Sequence, residues 1–409
     1  MKQYSFVFFI VIPLLSFCQR IKKMNLYSND ALIHYKIDNM AKVDKKLSLS
    51  ANLKKDIIRA EIAEAHNSNI NIVSDIDSIS LSIKIGDTLN LPVIVKGDTT
   101  YLKIIGKRKD VNFDASYQKK HNDSLEVNIP EVSELINIGI AISNLERRDS
   151  NMVYMESDYY KEVIRKFSPY KRHPFITLLN KYIKDNGAES YDFHYDLKGN
   201  ACEYNMDNYG SIKNRGNIFE MSLYKFPNPV EQNLTIIEDF ARETKFREFY
   251  KQNLPMYQGL ITDFRNVIPV GQMWRWLESK SSERYNSYKM YLSPLTGGAH
   301  ACQYFEDNGF KQISMYLAGR ILKPTKGLPI SLSGAVMTFT EIDHAYINTL
   351  TNRYSSQMVS LMIDNIWTDS LNRKFYKSGK EIFNEYMTWG LFTLFAYENY
   401  PSSRVDPYI

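Results

Sequence analysis

The hydrophobic period of this chain changes at Pro130, and that change limits what it can fold into. From Ser78 the sequence ISLSIKIGDTLNLPVIVKGDTTYLKIIG alternates apolar and polar residues, with Gly-Asp pairs at 86–87 and 97–98. Strict alternation broken by turn dipeptides predicts hairpins, so residues 78–129 are expected to form a small antiparallel β region. Beyond Pro130 the spacing lengthens. EVSELINIGIAISNL sets Val132, Leu135, Ile136, Ile138 and Ile140 at mostly helical intervals, and DYYKEVIRKFSPYKRHPFITLLNKYIKDNG reads as two helices broken at Ser168-Pro169 and closed by Gly187. The expected fold is therefore α+β, a mainly helical domain over 130–409 preceded by the β region. Inside the helical part, SPLTGGAH at 293–300 predicts a flexible Gly-rich loop and LSGAVMTF at 332–339 a strand.

The first 18 residues, MKQYSFVFFIVIPLLSFC, carry one early Lys and then an apolar run from Phe6 to Phe17. That is the shape of a secretory signal peptide and is too short to span a bilayer. Ser16 and Cys18 supply small residues for cleavage, which predicts a secreted or periplasmic protein; Phe17 makes a lipid anchor on Cys18 the weaker alternative. Residues 19–77 read as a polar linker with a short helix at DIIRAEIAEAH. The formal charge is +5 over 409 residues, too diffuse to argue for nucleic acid. No other stretch has the roughly 18 apolar residues of a transmembrane helix. In an exported chain a disulfide between Cys202 and Cys302 is possible. With 44% hydrophobic residues, 29 Tyr and 21 Phe, the chain can bury a large core.

Residues 336–348 read VMTFTEIDHAYIN, in which Thr340-Glu341-Ile342-Asp343-His344 is one residue away from the His-Glu-x-x-His of zinc peptidases. That motif places two imidazoles one helical turn apart on the metal and a Glu beside its water. On a helix, Phe339, Ile342, Tyr346, Ile347, Leu350 and Tyr354 share an apolar side, while Thr340, Glu341, His344 and Asn348 share another. An ordinary amphipathic helix would show the same pattern. A second stretch, EIFNEYMTWGLFTLFAYENY at 381–400, sets Glu385 among Phe383, Trp389 and Phe392. A buried carboxylate there requires a cation or a hydrogen-bond network, the cation being either a metal shared with His344 or a Lys or Arg in a salt bridge.

A working zinc site needs three protein ligands and an open position. His344 and Glu385 supply two, with Glu341 placed as general base. The neutral hydroxyl of Thr340 is a poor replacement for imidazole, so zinc is expected to bind weakly or not at all. Asp343 lies about 100° around the helix from His344, which makes it an awkward third ligand. His300, after Gly297-Gly298, is the better accessory candidate.

From about Pro130 to Tyr400 the chain resembles a group of exported, largely uncharacterised proteins of Bacteroidota-type bacteria, a domain of unknown function with a gluzincin-like His-Glu-x-x-His motif. PEVSELINIGIAISNL, YYKEVIRKFSPYKRHPF, YNSYKMYLSPLTGGAH, FTEIDHAYINTL and FNEYMTWGLF carry the resemblance in that order. It implies a zincin-like fold and, by position, Glu341 as general base, His344 as second zinc ligand and Glu385 as third. Position 340 departs from the pattern. Three functions follow as expectations. The first is a metallopeptidase-like protein, impaired or inactive, retained to bind a peptide, protein or glycan. The second is an active zinc hydrolase with a non-standard ligand, in which Tyr346, Tyr354, Tyr386 or His300 would serve the oxyanion. The third is a structural or adhesive envelope protein. His173 is expected to be a helix-start or turn residue, and WRWLE at 274–278 to pack on the core.

Overall fold

The computed structural model describes residues 23–26, 32–37, 43–46, 57–62, 68–84, 86–108, 110–143, 150–186, 191–221, 228–319, 330–358, 361 and 379–407. The expected signal peptide and Cys18 lie outside these residues. The chain divides into two compact units, Met1–Lys109 and Asp110–Ile409.

The first unit is built from strands β1 (Met24–Leu26), β2 (Leu32–Ile37), β3 (Val43–Lys46), β4 (Ile57–Ile62), β5 (Ser68–Val73), β6 (Ser78–Ile83), β7 (Thr88–Val95) and β8 (Asp98–Arg108). They form two four-stranded sheets, in the orders β1-β7-β8-β4 and β3-β2-β5-β6. Alternate residues of both sheets, among them Ile70, Ile72, Ile83, Val93, Leu102 and Ile104, meet in one buried cluster, so the unit is a β-sandwich. The alternation read from Ser78 onward is therefore a true strand signal. The β7–β8 hairpin closes through Lys96 and Gly97, whose φ angles of 49° and 91° give the left-handed two-residue turn that suits strand twist. DIIRAEIAEAH is a correction: Ile57–Ile62, expected in a helix, is β4 and runs parallel to β8. Its Ile57, Ile58, Ile62 content fits a strand, and the Ala and Glu residues that suggested a helix lie mostly after it.

The second unit opens with α1 (Ala115–His121) and β9 (Ser124–Asn128), so the tail of the expected β region belongs with the helices and the compact division falls at Lys109/Asp110, ahead of Pro130. Asp114 caps α1 by accepting the Tyr117 amide at 2.8 Å. Next come α2 (Glu131–Ile142), α3 (Asp158–Phe167), a single turn at Ser168–Tyr170, α4 (Pro174–Asn186) and α5 (Tyr191–Ala201). The ribbon β10 (Tyr204–Met206) and β11 (Ile212–Asn214) leads to α6 (Pro229–Gln232), α7 (Leu234–Glu243), α8 (Phe246–Val267) and α9 (Val270–Lys280). Strands β12 (Ser287–Ser293), β13 (Ala301–Asp307) and β14 (Phe310–Ala318) precede α10 (Ile330–Arg353), α11 (Ser355–Met358), α12 (Gly379–Asn399) and α13 (Ser402–Val405). The chain is thus α+β and mainly helical. No helix among the described residues is long and apolar enough to cross a membrane.

The sheet of this unit has the order β13-β14-β12-β9, parallel throughout except for the antiparallel edge strand β13. Every residue of β12 is buried, as expected of a strand covered on both faces. α2 is buried around almost its whole circumference, from Val132 to Ile140, and is the central helix of the unit.

One element near the motif departs from expectation. LSGAVMTF is the first part of α10, a single helix running from Ile330 through the motif to Arg353. Leu332, Ala335, Val336, Phe339, Ile342 and Tyr346 are buried at intervals of three and four, so a continuous apolar run here covers a helix face. Gly334 lets that face come close to its neighbour, since a Cβ there would sit 2.7 Å from the Ile268 side chain.

Candidate functional site

α10 and α12 meet along a face that combines Phe339 with the polar residues His344 and Asn348 of the motif helix. Phe339 at the interface is fully buried and packs on Phe392 and Phe395 of α12, with ring centroids 5.6 and 5.0 Å away. Trp276 of the WRWLE run closes the same cluster, as expected. Between two and three turns further along, the Asn384 side chain donates to Asn348 Oδ1 at 2.8 Å. Between these two anchors His344 and Glu385 come together, Nε2 to Oε1, at 3.5 Å. The expected pairing of those two residues is thus present, although Glu385 is less buried than its apolar neighbours suggested: 31% of its side chain is exposed, and Trp389 and Tyr386 face outward.

Electrostatics make this an unusual patch. Burial and the nearby Glu385 push Glu341 up to about 8, so it holds its proton at neutral pH. Asp343 is fully buried with neither carboxyl oxygen hydrogen-bonded, and burial, Glu341 and Glu385 hold it well above the ordinary range. Burial lowers His344, which is therefore neutral at pH 7. A protonated Glu341 is a hydrogen-bond donor rather than a ready base.

Two ligands bonded at about 2.1 Å to one tetrahedral zinc would lie about 3.4 Å apart, so the spacing of His344 and Glu385 suits a metal. The third ligand is missing. Thr340 turns its hydroxyl back onto its own helix, donating to the carbonyls of Val336 at 3.0 Å and Met337 at 3.3 Å. No third His, Cys, Asp or Glu donor joins His344 and Glu385 in a metal-sized group among the described residues. Asp343, already an awkward candidate, points into the core near Cys302, whose thiol is pushed up by burial, Glu341 and Asp343. His300 does not join either. Its loop is no flexible linker: a Cβ on Gly297 would sit 1.8 Å from the Ser150 carbonyl, and Ala299 donates to the Asn151 carbonyl at 2.8 Å. The residues present do not fit a three-ligand zinc centre. Nor is Tyr346 available to an oxyanion, because it is buried and bonded to the Tyr288 hydroxyl at 2.6 Å. Cys202 and Cys302 are both free.

A different group could hold a metal ion. His173, Asp239 and Glu243 offer one donor atom each within 4.8 Å of one another. His173 immediately precedes α4, where sequence spacing put a helix start, while Asp239 and Glu243 stand one turn apart on α7. The i, i+4 carboxylates were visible in the sequence; the pairing of α4 with α7 that brings His173 to them was not.

No family model, curated protein or solved structure matches the chain.

Proposed function

We propose that this is an exported, metallopeptidase-like protein whose zinc centre has been lost and whose cleft is retained to bind a peptide, protein or glycan. The observation that carries this reading is the 3.5 Å approach of His344 Nε2 to Glu385 Oε1 beside a Thr340 whose hydroxyl is committed to its own helix. Two positions keep the separation that a shared metal demands, and the third cannot supply a donor. The apolar leader supports export. With Glu341 protonated and no third ligand, the chemistry left to the patch is hydrogen bonding and charge recognition.

The test is restoration. Thr340→His should gain one zinc equivalent relative to the parent protein, and that added equivalent should vanish on adding His344→Ala or Glu385→Gln. If Thr340→His gains no zinc, the cleft is not a former zinc centre. If the parent protein already binds zinc through His344, the centre has not been lost and the hydrolase reading replaces this one.

A further inference from the structure

The strongest unassigned constellation lies away from the motif, at the start of α4. His173 accepts the Thr177 amide on its carbonyl at 2.9 Å and the Phe175 amide on its ring Nδ1 at 3.2 Å, so its imidazole is held in place as a helix cap. Phe240 flanks the ring at 5.2 Å. Only 4% of the His173 side chain is exposed, yet its Nε2 has no hydrogen-bond partner. That nitrogen faces Asp239 Oδ2 at 3.6 Å and Glu243 Oε2 at 3.7 Å. Both distances are too long for hydrogen bonds. Both suit ligands of one ion, since bonds of about 2.1 Å would then open angles of about 120° at the metal.

We infer that His173, Asp239 and Glu243 form a binding site for a first-row divalent transition metal. One imidazole with two carboxylates suits Zn²⁺, Co²⁺ or Mn²⁺; it offers too few oxygens for Ca²⁺ and no sulfur for Cu⁺. Arg242 does not close the site. It pairs with Asp239 through Oδ1, leaving Oδ2 turned to His173, and so it orients the ligand in the manner of an outer-shell partner. Glu243 is about half exposed, which gives the ion a path in and leaves room for water on the remaining positions.

Binding has a structural consequence at the helix. While Nδ1 accepts the Phe175 amide, the neutral imidazole carries its proton on Nε2. A metal on Nε2 requires that proton to move to Nδ1, so the ring's net charge is unchanged and the Phe175 amide loses its acceptor. Occupancy and the first turn of α4 are therefore coupled: the metal-bound state has a looser helix start.

The experiment is a Co²⁺ titration of the full chain followed by visible absorption, with amide exchange at Phe175 as the second readout. The parent protein should bind one Co²⁺ with ligand-field bands, and Phe175 should exchange faster once it is bound. Glu243→Gln, a change at a half-exposed position that leaves the helix cap intact, should weaken binding at least tenfold. His344→Ala should leave it unaltered, which separates this site from the proposed lost centre. The inference is overturned if the parent protein binds no Co²⁺, if Glu243→Gln binds as the parent does, or if the Co²⁺ signal disappears with His344→Ala.

Discussion

Two clusters of ligand-type residues in the second unit differ in what makes them visible. The α10–α12 patch carries a motif that can be read from a line of text, yet it brings only two donor atoms together, His344 and Glu385. The α4–α7 cluster has no motif, yet three donors converge there. A motif preserves the spacing along one helix, whereas a site is completed by residues from other helices. Thr340, standing where the motif has its first His, leaves the helix packing untouched, because that packing is made by Phe339, Ile342 and Tyr346.

The comparison can be broken or sharpened by perturbing one cluster at a time. The largest effect should come from Phe339→Ala, which removes a fully buried ring from the interface of α10 with α12. It should cost about 3–5 kcal/mol in urea unfolding, while Co²⁺ uptake by the folded protein, proposed for His173, stays the same. The converse is Gly139→Ala. A Cβ on Gly139 would lie 2.4 Å from the Phe175 ring, two residues from His173. Overpacking there should cost about 1–3 kcal/mol and weaken Co²⁺ binding without altering zinc uptake by Thr340→His. An unchanged Co²⁺ affinity would show that α4 does not position the cluster.

Glu341 in one cluster and His173 in the other should respond to pH with opposite signs. Glu341 is raised from 4.5 to about 8, so the folded state holds a proton that the unfolded chain gives up; stability is full below about pH 4.5 and declines as pH rises toward 8. Glu341→Gln removes that dependence and should be more stable than the parent at pH 8, on the order of 1–3 kcal/mol, and equal to it near pH 4.5. His173 is lowered from 6.5 by burial, against the pull of Glu243. Below pH 6.5 the unfolded chain takes up a proton that the buried ring resists, so this cluster loses stability on acidification. Denaturation curves from pH 4.5 to 8 separate the two; if Glu341→Gln runs parallel to the parent throughout, the Glu341 carboxyl is not buried as described. The smallest effect belongs to Thr340→Val, which should change stability by less than about 0.5 kcal/mol, because the lost hydroxyl bonds only to its own helix. A loss above about 1 kcal/mol would reveal a role for Thr340 beyond its helix.

Much of this was readable where one physical rule decides. Alternation fixed the β7–β8 hairpin, and Ser168-Pro169 marked the break between α3 and α4. The strand reading of LSGAVMTF failed because a continuous apolar run serves a buried helix face as well as a strand, and only the neighbouring Ile268 against Gly334 separates the two. The N-terminal strands were hidden by polar composition. At the site, the pairing of His344 with Glu385 was legible because both sit in strongly patterned helices. The tight packing of the Gly297 loop was not, since glycine permits a flexible turn and a close backbone approach equally.

The parallel pairing of β9 with β12 has a kinetic consequence. Ser124 lies beside Ser287 in the sheet, with α2 through α9 strung between them. Strand β12 cannot take its place until its distant partner and the later β14 are both available, so the sheet beneath α10 closes across a long loop. The helices α2 to α9 can collapse locally on either side of this event, which makes sheet closure the expected slow step in refolding. Helix α10, which packs on β13 and β14, should become native only after that closure, and the α10–α12 patch with it.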